Sequence, residues 1–315
     1  MKSARYKFLG VLLLLVFQGI TLWAQEAEMT AEESMPVKNT FGSIYIIDNQ
    51  TVMVPFKGTL EFDIQHRFGL VENGYEDFWG LYAPANIRLA LSYVPINNLM
   101  VGFGFTKLNL TWDFNAKYAI LKQMSDGGSP VSLTYFGNAA MDTRKKDQFP
   151  NPAVFKSTDR WSFFHQLILA RKITDKLSLQ LAGSVSHFNA VYPQVDPATD
   201  SLQQLDNDHF ALAISARYKV SNATSILINY DQPLTTHASL DPEKADSSDP
   251  KPNLSFGVEF TTSAHQFQIF FGNYGSIIPQ VNNAYNTAWG FGSSTFSQWD
   301  PEWRIGFNMT RLWSY

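Results

Sequence analysis

The 315-residue chain contains no cysteine. Exported domains often use disulfides as staples, so something else must hold this fold. The absence also excludes a lipid-anchored cysteine, thiol catalysis, iron–sulfur clusters and thiolate zinc sites. Charge is scarce: 17% of residues are Asp, Glu, Lys or Arg, against about 25% in soluble globular proteins. The net charge of −4 gives no basic footprint for nucleic acid. The chain also lacks the several apolar runs of about 20 residues that a helical membrane protein needs. What it does hold is aromatic: 25 Phe, 13 Tyr and 8 Trp. Disorder requires the opposite composition, high charge and few aromatics. Yet mean hydropathy is only −0.15, so uncharged polar residues dilute the apolar ones. A secreted β-protein or an outer-membrane β-barrel fits this balance.

Residues 1–24 read as a cleaved export signal. Lys2, Arg5 and Lys7 form a positive start, an apolar stretch centred on VLLLLVF follows, and Ala24 supplies a small residue before the cut. Residues 25–58 form a second unit. It begins with a polar, acidic leader and continues with two short apolar runs around Asp48-Asn49. That pattern suits a small hairpin, left outside the main domain or tucked into it.

From residue 59 to 315 the dominant signal has period two, which puts apolar and polar residues on opposite faces of a strand. In 59–69, Leu60, Phe62, Ile64, His66 and Phe68 share one face, and Glu61, Asp63, Gln65 and Arg67 the other. Similar runs recur at 87–94, 99–106, 110–121, 131–141, 160–173, 176–187, 208–220, 223–231, 252–262, 265–272 and 302–315. These predict twelve strands and no amphipathic helix. Connections alternate between short and long, except for a tight link near Lys107. That is the plan of an antiparallel up-and-down transmembrane β-barrel, with short periplasmic turns and longer external loops.

Aromatic residues of apolar parity gather at both strand ends. Phe105, Trp112, Trp161, Tyr230 and Trp303 lie toward the long loops, and Tyr93, Tyr118, Tyr218, Trp313 and Tyr315 toward the short turns. Leu, Ile, Val and Phe fill the space between, so the set reads as two lipid-interface girdles. The last strand alternates cleanly and ends on Tyr315, a terminus of the kind that barrel-assembly machinery reads.

Several stretches also resemble a known family. They are the first strand ending in His66-Arg67-Phe68-Gly69, the run PANIRLALSYVPINNLMVGFG, the run DFNAKYAILKQ, LILARKI, and RIGFNMTRLW near the end. They resemble the bacterial family catalogued as domain of unknown function 5777, over most of the chain after about residue 40. The resemblance implies an outer-membrane β-barrel of a Gram-negative bacterium. It implies no activity, so no catalytic residue is carried over.

The inward parity set holds four acids, Glu61, Asp63, Asp113 and Glu259, and six bases, Arg67, Arg88, Lys117, Arg217, Lys219 and Arg304. Arg67, Arg88 and Arg304 fall on the first, second and last strands, which become neighbours on closure. Clustered arginines bind carboxylate or phosphate, so one reading is an anion-selective constriction. The other is a structural network in which they pair with Asp63, Asp113 and Glu302, the usual solution for buried charge. His66, His165 and His187 have outward parity, but no outward serine stands beside His66 to form a hydrolase pair. The acids Asp241, Glu243, Asp246 and Asp249 lack the spacing of a calcium loop. Arg144, Lys145, Lys146 and Lys156 form a basic loop able to touch lipopolysaccharide phosphates.

The expected protein is therefore a non-enzymatic outer-membrane barrel without metal or cofactor. It lies among lipid and lipopolysaccharide and passes or binds a small, anionic solute. The competing class is a barrel that transports nothing and docks a partner; a lipid-modifying enzyme ranks below both.

Overall fold

The computed structural model describes residues 35–149, 151–191, 194–196, 201–204, 206–235, 238–239, 249–286 and 303–314. The export signal, the acids Asp241, Glu243 and Asp246, Glu302 and the terminal Tyr315 lie outside the described residues.

Alternation becomes strand at each of the twelve expected places. In chain order they are β1 (Thr59–Leu70), β2 (Asn86–Ile96), β3 (Leu99–Thr106), β4 (Thr111–Leu121), β5 (Ser132–Asp142) and β6 (Trp161–Lys172). Next come β7 (Leu177–Phe188), β8 (Asp208–Lys219), β9 (Thr224–Pro233), β10 (Asn253–Thr261), β11 (His265–Gly272) and β12 (Arg304–Ser314). Each pairs antiparallel with the next, and β12 returns to β1 with a register shift between Arg304 and Gly306, closing the barrel. Strands of 8 to 12 residues match the tilted span of about 9–11 residues that crosses a bilayer. No described helix is long and apolar enough to cross a membrane.

The two faces have opposite chemistry. Phe103, Phe105, Trp112, Phe114, Ile226, Ile228, Phe256 and Ile269 are exposed on the outside. Glu61, Asp63, Gln65, Arg67, Asp113, Asn229 and Gln268 are buried inside. A soluble protein has the reverse order. This one is built to place apolar side chains against lipid.

The lumen is filled from both ends. From the short-turn end, residues 41–54 rise into it as a hairpin, with Tyr45–Ile46 paired to Asn49–Gln50. Phe41, Ile46, Ile47 and Val52 pack against Phe136, Phe164, Ile168, Leu227 and Phe270 of the barrel wall. Each such buried side chain contributes about 1.5–3 kcal/mol. From the long-loop end, the connection after β11 folds inward. Its described part carries a short helix, α1 (Pro279–Tyr285), whose Gln280, Asn282, Asn283 and Ala284 are buried. The sequence predicts no helix there, because this one has no apolar stripe. Its buried face is mostly amide, suited to a polar lumen, and Pro279 at its first turn is its one conventional marker.

Reversing one residue tests the inside-out assignment. Ile228→Arg sits mid-strand on the outer face and is expected to lower stability by about 2–4 kcal/mol, read from reversible urea unfolding in lipid. An unchanged midpoint contradicts a lipid-facing position.

Candidate functional site

The wall of the lumen satisfies the hairpin. A hairpin inside a barrel belongs to no large sheet, so its backbone groups must find side-chain partners. Uncharged wall residues supply them. Gln268 accepts from the Ile47 amide (3.0 Å) and donates to the Tyr45 carbonyl (2.9 Å). Gln180 donates to Gln50 (2.7 Å) and Thr134 to Val52 (3.2 Å), both at carbonyls. The Lys117 amine, fully buried, clamps both limbs by donating to the carbonyls of Ile44 (3.0 Å) and Met53 (3.3 Å). At the tip, Asn49 donates to Asn229 (2.9 Å) and Asp231 (2.6 Å) and accepts from Gln166 (2.9 Å). Gly42 passes the wall so closely that a Cβ there would lie 2.5 Å from Glu259 Oε1 and 3.1 Å from Arg217 Nη2.

Eight of the ten expected inward charges are buried, Lys219 and Arg304 being half-buried, and they divide into pairs and singles. Arg88 holds Asp113 through two bonds, Nε to Oδ1 (2.8 Å) and Nη2 to Oδ2 (2.6 Å). Its remaining Nη1 donates to Gln65 (3.0 Å) and to the hydroxyl of hairpin residue Tyr45 (3.2 Å). The same guanidinium fills the space that a Cβ on Gly104 would need. Arg217 donates to Glu259 (2.8 Å). Asp63 accepts from Thr310 (2.8 Å) and feels the charges of Arg88 and Lys117, and Lys117 also acts on Glu61.

Arg67 does not pair with Asp63, contrary to the expected network. Its Nη1 donates to Asn308 (3.0 Å) and to the His66 carbonyl (3.1 Å), and its plane lies 4.5 Å from the Phe270 ring centre. Its Nε and Nη2 have no hydrogen-bond partner among the described residues.

Nor do the three arginines form one cluster. Arg67 and Arg304 line a cavity of about 530 Å³ at the long-loop end, and Arg88 does not reach it. Arg88 is sequestered by Asp113 and Gln65, one layer deeper. In its place stands Lys107, from the tight β3–β4 link, which anchors by donating to the Ala85 carbonyl (3.1 Å). The link is a turn, so Lys107 has no strand parity and escaped the sequence reading. Asn86, Ser276, Asn282 and Tyr285 complete the polar rim, and no carboxylate is among the described lining residues. Glu72 lies near enough to act on Arg304. Below the cavity is the hairpin tip. Burial pushes the Asp48 carboxyl above its ordinary value, while a hydrogen bond from Tyr274 (2.7 Å) and the charge of Arg67 pull it down. Burial alone pushes the Tyr285 hydroxyl up to about 12.

The expected girdle residues other than Tyr315, which lies outside the described residues, sit on the outer face. Phe105, Trp112, Tyr93, Tyr118 and Tyr218 are exposed; Trp161, Tyr230, Trp303 and Trp313 are half-buried against neighbours. The outward histidines have partners of their own. His165 Nδ1 meets the Tyr135 hydroxyl (2.6 Å), His187 Nδ1 meets Asp208 (2.7 Å), and His66 stacks on Phe307. In the basic loop, Arg144 is engaged by Asp142 (2.6 Å). Among the described residues no three His, Asp or Glu side chains gather as a metal site.

A closed antiparallel barrel with an apolar outside and an ion-paired, hydrogen-bonded inside is a membrane β-barrel. The chain belongs to the DUF5777 family, described as a membrane bound beta barrel domain, whose model matches residues 41–313. Among solved structures it is similar to the COG4313 outer membrane channel from Pseudomonas putida F1. The identity is 12% and the TM-score 0.50, over 83% of this chain and 97% of that one. A NanC porin aligns at 8% identity and a TM-score of 0.47, over 81% of this chain and 99% of that one. None of the curated proteins matches significantly.

The Arg88–Asp113 pair gives a test of the buried network. Asp113→Ala leaves a guanidinium buried without its carboxylate and is expected to cost about 3–5 kcal/mol. Removing both, with Arg88→Met and Asp113→Ala, should cost less than the single change. Equal losses, measured by urea unfolding, contradict a mutually dependent pair.

Proposed function

We propose that the protein is an outer-membrane barrel, exported with residues 1–24 removed, that takes up a small anionic solute at its long-loop mouth. The observation that carries this reading is the cavity where Arg67, Lys107 and Arg304 converge without a described carboxylate in its lining. Cations in a walled recess focus the field on an incoming anion. Arginine adds the two-pronged geometry that fits a carboxylate or phosphate. The similar fold of a known outer membrane channel makes passage a natural outcome of such a site, and the choice of an anion rests on the cavity alone.

The reading gives the chain no catalytic role. The outward histidines serve as interfacial polar residues, each engaged by a neighbour. Lipid and lipopolysaccharide surround the outer face, and the C-terminal strand is the segment offered to barrel-assembly machinery.

One observation favours a second reading, a barrel that docks a partner and transports nothing. The lumen beneath the cavity is occupied by the hairpin and by α1. Recording from purified, reconstituted protein separates the two. On the first reading, succinate or phosphate gives saturable uptake or block, weakened roughly tenfold or more by Arg67→Gln with Arg304→Gln. Selectivity unchanged by those substitutions contradicts it. A barrel that neither conducts nor binds these anions supports docking.

A further inference from the structure

Arg67 faces two ways. It is 1% exposed and stands between the outer cavity and the tip of the hairpin. One edge is committed downward: Nη1 donates to Asn308 (3.0 Å), whose own amide donates to the Ile47 carbonyl in the hairpin turn. The other edge, Nε and Nη2, is the fork that matches a planar oxyanion, and it has no partner among the described residues. A buried guanidinium with three of its five N–H donors unmatched is costly to keep, so this edge is the place where an anion gains most.

The turn that Arg67 helps to hold is itself strained. Ile47 has a φ of 62°, the left-handed region that a β-branched residue rarely enters. The next residue, Asp48, is a half-buried carboxylate held by the Tyr274 hydroxyl (2.7 Å), by Asn229 (3.2 Å) and by the attraction of Arg67. Tyr274 directly precedes Gly275 and Ser276, which line the same cavity. Two anchors of the tip, Arg67 and Tyr274, are thus a cavity residue and the immediate neighbour of one.

We propose that the free edge of Arg67 binds the carboxylate or phosphate of the solute, and that this contact loosens the turn at Ile47–Asp48. Occupancy of the outer cavity is thereby transmitted to the N-terminal segment at the opposite end of the barrel. An anion on Arg67 neutralises the charge that offsets the burial of Asp48, and it repels the Asp48 carboxylate. The strained turn then has less to hold it in place. The inference rests on the anion-binding reading of the cavity and adds the residue that recognises the oxyanion and the element that responds. By linkage the effect is reciprocal: whatever loosens the hairpin must tighten the anion by the same factor.

The absence of native cysteine makes the test clean. Ser43→Cys places one thiol on the buried rising limb of the hairpin. Its labelling by a water-soluble maleimide is followed in reconstituted protein with succinate, inorganic phosphate, or chloride at matched ionic strength. Binding of succinate is measured separately by calorimetry. The expected result is a saturable rise in labelling rate of at least about fivefold with an oxyanion and none with chloride. A response to both oxyanions assigns the site to the shared chemistry, and a response to succinate alone narrows it to carboxylates. Arg67→Gln, with its folding checked by heat-modifiable migration, should abolish the response. Tyr274→Phe should speed labelling without any anion and tighten succinate in proportion. Succinate that binds without changing the labelling overturns the coupling and leaves the cavity reading intact. Succinate that does not bind overturns both. A response that survives Arg67→Gln, or wild-type labelling in Tyr274→Phe, contradicts the residue roles.

Discussion

Barrel closure in lipid sets every other feature of this molecule. Backbone groups in a bilayer must be paired within the protein, and a strand that closes the ring shows one face to lipid and the other to the lumen. The outer face is therefore apolar by necessity. The inner face takes the polar residues, and it collects a charge problem with them. Glu61, Asp63, Arg67, Arg88, Asp113, Lys117, Arg217 and Glu259 are all buried. Each needs a partner inside the lumen.

The hairpin answers that problem in part. Its backbone carbonyls give Lys117 acceptors, its Tyr45 hydroxyl gives Arg88 a fourth contact, and its Asn49 bridges Asn229, Asp231 and Gln166. The wall in turn uses glutamine, asparagine and threonine to satisfy a hairpin that has no sheet of its own. Packing of Phe41, Ile46 and Val52 within the cluster that includes Phe164 and Ile168 adds an apolar anchor. Toward the long-loop end this matching is incomplete. There Arg67, Lys107 and Arg304 face a cavity without a described carboxylate in its lining. On the proposed function, an anionic solute is the counterpart of that imbalance.

The strands were legible because period two is strict wherever one face meets lipid. β3 (Leu99–Thr106) and β11 (His265–Gly272) were read to the residue, and the others shift by one or two positions at one or both ends. The alternation of loop length carried the direction of each strand. The hairpin was only half legible. Its two apolar runs around Asp48-Asn49 were visible, but its place in the lumen depends on apolar residues facing inward. Phe164 and Ile168 make β6 apolar on both faces, which hides parity rather than revealing it. Among the site residues, Arg67 and Arg304 were found because strand parity pointed them inward. Arg88 shares that parity, yet Asp113 removes it from the cavity, a matter of depth that parity does not encode. Lys107 and the asparagine-rich α1 belong to connections, where neither period applies.

The central claim is that residues 41–54 occupy the lumen and complete its hydrogen bonding. Cross-linking tests it most directly, since the chain offers no competing thiol. Asn49→Cys and Gln166→Cys replace a pair joined by a 2.9 Å hydrogen bond between hairpin tip and wall. In the folded, membrane-inserted protein a short bifunctional thiol reagent should join them in high yield. Absence of the cross-link, with both thiols freely labelled by a bulky water-soluble maleimide, would place the hairpin outside the barrel and contradict the account.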